Sequence, residues 1–130
     1  MRLVFRGTAL PSAWYNVVPD LPFKLPPLVN PKTGYPVGAH DLLHFLPMDL
    51  VEQELGGERL VRIPREVRER YQAWRPTPLV RARRLEEALG TPARLYYKDE
   101  GTSPTGSHEA NTAIPQAYYA RRARAKTLVT

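Results

Sequence analysis

Behind Gly106 stand Ser107, His108, Glu109 and Asn111, which together offer a hydroxyl, an imidazole, a carboxylate and a carboxamide. Groups of these types can hydrogen-bond a bound ligand, and just after a glycine they are also ordinary helix-start residues. An amine able to condense with an aldehyde and then act as a base would complete a different chemistry. The nearest one, Lys98, ends an apolar strand beside Asp99 and Glu100. Pairing with those acids or facing solvent is the reading for Lys98, and catalysis is not assigned to it. His40 and His44 share the i, i+4 spacing that can grip zinc on a helix, with Asp41 beside them. A lone pair of this kind reads as helix-surface histidines, and no metal is expected.

These residues need elements to place them. The stretch Pro47-Met48-Asp49-Leu50-Val51-Glu52-Gln53-Glu54-Leu55 carries apolar residues at helical intervals and stops at Gly56. A second helix is predicted over 64–74, with proline in its first turn and Val67, Tyr71 and Trp74 on one stripe, ending before Pro76. Residues 79–89, closed by Gly90, predict a third, with Leu85 and Leu89 on one side. Arg94-Leu95-Tyr96-Tyr97-Lys98 reads as a strand, and a helix follows the Gly-Thr-Ser-Pro-Thr-Gly loop through Tyr118, Tyr119 and Ala123. Thr127-Leu128-Val129-Thr130 looks like the start of another strand, which would complete a parallel strand-helix-strand unit. Pro115 leaves two alternatives. A helix starting near Ser107 would hold it in the interior at a cost of about 3 kcal/mol, whereas a helix starting at Pro115 would leave 107–114 as loop. Either disturbs the placement of Asn111.

Gly106-Ser107-His108-Glu109-Ala110-Asn111, with Trp74-Arg75-Pro76-Thr77-Pro78-Leu79 and Tyr97-Lys98-Asp99-Glu100 upstream, resembles the tryptophan synthase β chains. Trp14-Tyr15-Asn16, Leu46-Pro47-Met48 and Glu52-Gln53-Glu54 are similar to their longer-armed β-like subfamily, so the resemblance spans 14–130. It implies an α/β chain, the N-terminal portion of a fold-type-II pyridoxal-phosphate-dependent enzyme that joins serine and indole by β-replacement. In the family loop a lysine forms the internal Schiff base, and Glu109 occupies its position here. By the same resemblance Ser107 caps a helix start, His108 lies near the cofactor phosphate and Asn111 donates to the ring oxygen. Glutamate forms no imine, and its charge disfavours an anionic cofactor. The family's acid-base glutamate, phosphate cup and pyridine-nitrogen partner have no counterpart in residues 1–130. The expectation is a truncated or degenerate family member, inactive as this chain. The alternative is a binding or regulatory module that docks on an intact synthase or forms a homo-oligomer.

Composition agrees with a piece of a larger fold. The 130 residues are 42% hydrophobic, and their 14 prolines crowd into 11–47 and 64–78, where they oppose regular structure. Residues 1–47 are expected to form a proline-rich extended arm, 48–78 short helices and linker, and 79–130 an incomplete α/β unit. Trp14, Tyr15, Phe23 and Tyr35 look like anchors of the arm on another surface, and Asn30-Pro31-Lys32-Thr33-Gly34 like a turn. Weak protection from exchange is expected outside 79–126. The net charge is +6, carried partly by Arg81, Arg83 and Arg84 and by Arg121, Arg122, Arg124 and Lys126. With no aromatic residue interleaved to stack bases, these read as solvated helix faces, and nucleic-acid binding is not favoured. The absence of cysteine rules out disulfides, and no apolar run reaches the roughly 20 residues of a membrane span. A cytoplasmic location is expected.

Overall fold

The computed structural model describes residues 2–3 and 10–127. The chain divides into two compact units, Met1–Leu10 with Arg65–Ile114 and Pro11–Pro64 with Pro115–Thr130.

The first unit is organised by a three-stranded antiparallel sheet in the order β1 (Arg2–Leu3), β4 (Leu79–Arg81), β5 (Tyr96–Lys98). Leu79 faces Lys98 and Arg81 faces Tyr96 across the central pair. Its helices are α3 (Arg65–Tyr71) and α4 (Arg83–Ala88), and α5 (Ala110–Arg122) begins in it. Val67 and Tyr71 bury one stripe of α3, as the helical spacing predicts, whereas Trp74, expected on the same stripe, lies in the turn after the helix ends at Tyr71.

The helix expected over 79–89 is corrected. Its first residues are β4, and α4 starts only at Arg83. Leu79-Val80 suits either state, and pairing with two neighbouring strands decides for extended backbone. Arg81 and Glu86 then secure the turn from strand to helix. The guanidinium donates to both carboxylate oxygens, at 2.9 to 3.2 Å, and the Leu95 amide donates to Oε1 at 2.8 Å. Hydrogen bonding to Arg81 outweighs burial and holds the Glu86 carboxyl below its ordinary value. Leu85 and Leu89 remain exposed.

The second unit contains β2 (Ala13–Tyr15) antiparallel to β3 (Leu60–Arg62), with Trp14 opposite Val61, and the helices α1 (Ala39–Leu42) and α2 (Met48–Leu55). Gly56 follows the last residue of α2 in an extended conformation that only glycine fits, since a Cβ there would lie 2.4 Å from the Glu52 carbonyl oxygen. The Asn30–Gly34 turn forms with a 2.8 Å bond from the Gly34 amide to the Asn30 carbonyl, and φ of Gly34 is +74°. Val51 and Ile63 are buried, whereas Phe23, Tyr35 and Phe45 are exposed.

Among the described residues every strand pair is antiparallel. Of the parallel partner expected over 127–130, Thr127 is not in a strand and 128–130 lie outside the described residues.

Candidate functional site

Residues 98–111 run from the end of β5 to the start of α5. After a single 3-10 turn (Glu100–Thr102), Ser103 folds the chain back on itself. Its hydroxyl donates to the Ser107 carbonyl and accepts the Ser107 amide at 3.1 Å. Gly106 sits in this turn with φ of +70°, a conformation that disfavours a side chain even though open space surrounds it. The helix begins at Ala110, with the Glu109 carbonyl accepting the Ala113 amide at 2.9 Å. Ser107 therefore does not cap it, a correction to the expected role. The tightness of the Ser103–Ser107 turn moves the start three residues on. Pro115 lies inside α5, the first of the two alternatives.

Asn111 is held on every side, and that is what sequence reasoning missed. Its Oδ1 accepts from the Arg75 guanidinium, its Nδ2 donates to Glu100 Oε2 at 3.1 Å, and its main-chain carbonyl accepts the Tyr71 hydroxyl at 2.5 Å. Glu100 Oε1 accepts the hydroxyl of fully buried Thr77 at 2.7 Å. Lys98 donates its ammonium to the Thr77 carbonyl rather than to an acid beside it. Burial alone would raise the Glu100 pKa. Hydrogen bonds from Thr77 and Asn111, with the Arg75 and Lys98 charges, outweigh it and hold the carboxyl below its ordinary value. Arg75 is itself stacked over the Tyr71 and Trp74 rings, at 5.7 and 5.3 Å from their centroids. The partners lie 11 to 40 residues from Asn111 in sequence, so no local pattern announces them.

Ser107 is partly exposed, and His108 and Glu109 are exposed. Among the described residues, the Glu109 carboxylate has no hydrogen-bond or ionic partner. A carboxamide has two N–H donors, and Glu100 takes one. Among the described residues Asn111 thus retains one donor, held at a fixed orientation, for an acceptor outside the network. His40 and His44 meet edge to face, 5.2 Å between centroids, and no metal-binding cluster exists among the described residues. A cleft of about 330 Å³ in the second unit, lined among others by Asp49, Glu52, Glu58 and Arg62, contains none of the predicted site residues.

Residues 71–130 match the family described as pyridoxal-phosphate dependent enzyme, and these are the residues that build β4, β5, the loop and α5. That match takes in a little under half of the chain. Over its full length the chain is 52% identical to tryptophan synthase beta chain 2 of Thermotoga maritima and 51% identical to tryptophan synthase beta chain of Pseudothermotoga lettingae. Over 93% of its length it is 53% identical to tryptophan synthase beta chain 2 of Aeropyrum pernix. It is thus a tryptophan synthase β-like sequence, and the family cofactor is pyridoxal phosphate. The chain spans 31%, 31% and 27% of those three relatives. Asn111 fits such a cofactor as a hydrogen-bond donor. Glu109 does not fit its covalent attachment, since a carboxylate cannot form an imine. No helix among the described residues is long and apolar enough to cross a membrane.

Proposed function

We propose that this chain is a degenerate tryptophan synthase β-like protein that keeps the frame of the cofactor loop and has lost its chemistry. The relatives' reaction, by family resemblance, is the pyridoxal-phosphate-dependent replacement of the serine hydroxyl by indole. The observation that carries the proposal is Glu109, an exposed carboxylate in an otherwise well-formed loop, at the position where the family loop has its lysine. In this reading Asn111 offers its remaining N–H to a ring oxygen and His108 lies near a phosphate. Glu109 offers no nucleophile and repels an anion, so the cofactor is not held covalently. The chain's place is the N-terminal arm and first strands of a fold-type-II protein, in the cytoplasm.

The test is incubation with pyridoxal phosphate, borohydride reduction and peptide mapping of the parent and of Glu109→Lys. The parent is expected to show no imine absorbance and no adduct in 98–111, and the variant an adduct at position 109. An adduct at Lys98 in the parent would overturn the assignment. A second reading, a module that docks on an intact synthase, is favoured by the exposed Phe23, Tyr35 and Phe45 of the arm region. Size-exclusion chromatography with and without an intact relative separates the two.

A further inference from the structure

We infer that Tyr71 is a positioning residue for Asn111, and that its hydroxyl supplies the hydrogen bond Pro115 withholds from α5. The inference rests on the reading of Asn111 as a ligand-facing donor. In a regular helix the Asn111 carbonyl accepts the amide of residue 115. Proline has no amide, so within α5 that acceptor is orphaned by the sequence itself. The Tyr71 hydroxyl donates to this same oxygen at 2.5 Å. Tyr71 is 6% exposed, and its ring stands edge-on to Trp74 at 5.9 Å, so the donor is fixed by packing rather than arriving on a mobile chain.

The consequence reaches the side chain. Arg75, one helical turn after Tyr71, lies over its ring and donates to Asn111 Oδ1. One segment therefore grips Asn111 by main chain and side chain together, and Glu100 completes the hold at Nδ2. Without the hydroxyl the first turn of α5 has an unpaired carbonyl at the residue whose carboxamide must keep its aim. Pro115 is then an accommodated residue and not a lesion of the loop, which reverses the expectation that it disturbs Asn111.

A double-mutant cycle in the 130-residue chain tests this, with Tyr71→Phe, Pro115→Ala and both together. Chemical denaturation reports stability, and the Asn111 side-chain amide resonances report its setting. Tyr71→Phe is expected to shift the unfolding equilibrium about tenfold beside Pro115, and several-fold less beside alanine, whose amide can serve the carbonyl. The Asn111 amide resonances should move in Tyr71→Phe and return toward the parent in the double variant. Equal cost in both backgrounds, or unmoved Asn111 resonances, overturns the inference. If Tyr71→Phe does not fold, recovery on adding Pro115→Ala supports it, and failure to recover overturns it. Cofactor trapping in Glu109→Lys reports separately on the reading beneath, and its failure would leave the cycle intact.

Discussion

Replacing Glu100 by glutamine removes one charge from the centre of the network while keeping its shape. The carboxylate accepts from Thr77 at one oxygen and from Asn111 at the other. Glutamine has a single oxygen, so one of these donors must meet an NH2 group. A hydrogen bond to a charged group contributes about 1.5–3 kcal/mol, and the surviving bond weakens when its acceptor becomes neutral. Relief of burying a charge returns only a small part of this, because Glu100 is half-buried and water still reaches it. The net cost at neutral pH is about 2 kcal/mol, or a Tm lower by about 6–8 °C for a chain of this size. The Glu100 pKa is lowered on folding, so the carboxylate contributes stability above its ordinary value of 4.5, lost as pH falls through the folded value. Denaturant melts of parent and Glu100→Gln should therefore differ at pH 7 and converge in acid. A difference under about 0.5 kcal/mol at pH 7, or one that persists unchanged in acid, would refute the reasoning.

Other perturbations separate stability from chemistry. Gly106→Ala should cost about 1–2 kcal/mol in a denaturant melt from its positive φ alone, and Gly106→Asn visibly less. Glu86→Ala should lower the Tm, since it strips Arg81 and the Leu95 amide of their acceptor, while Glu69→Ala should leave it unchanged because the Arg65–Glu69 pair is solvent-exposed. The Glu86 contribution should also fade in acid, its folded pKa being lowered, which a melt series across the carboxylate range would show. Glu109→Lys in the 130-residue chain should yield no tryptophan from serine and indole, and product formation detected by chromatography would refute the expectation that lysine alone does not restore the chemistry.

Local signals were legible where one element decides its own fate. Gly56 marks the end of α2 because a side chain there would strike a carbonyl of that helix, so the capping position admits only glycine, and the α3 stripe of Val67 and Tyr71 follows from spacing alone. The extended state of Leu79–Arg81 was not legible, since it depends on partners at both edges that lie far away in sequence. The same holds for the site. Ser107, His108, Glu109 and Asn111 are neighbours and could be named from the sequence, but Tyr71, Arg75 and Glu100 converge on Asn111, with Thr77 holding Glu100, only when the chain folds. Helix start positions shifted for a related reason, since the Ser103–Ser107 bonds compete with helical ones and win.

Glu109 stands outside all of these dependencies. Its main chain anchors the first turn of α5, yet its carboxylate touches no partner among the described residues. The loop thus separates what it needs in order to fold from what it can do, with the backbone of residue 109 serving the first and its side chain only the second. Such a position can be rewritten at little cost to the scaffold. A lysine, a cysteine for a spectroscopic label or a neutral isostere can each be installed there, and loss or gain of reactivity in this lineage need leave no mark on thermal stability.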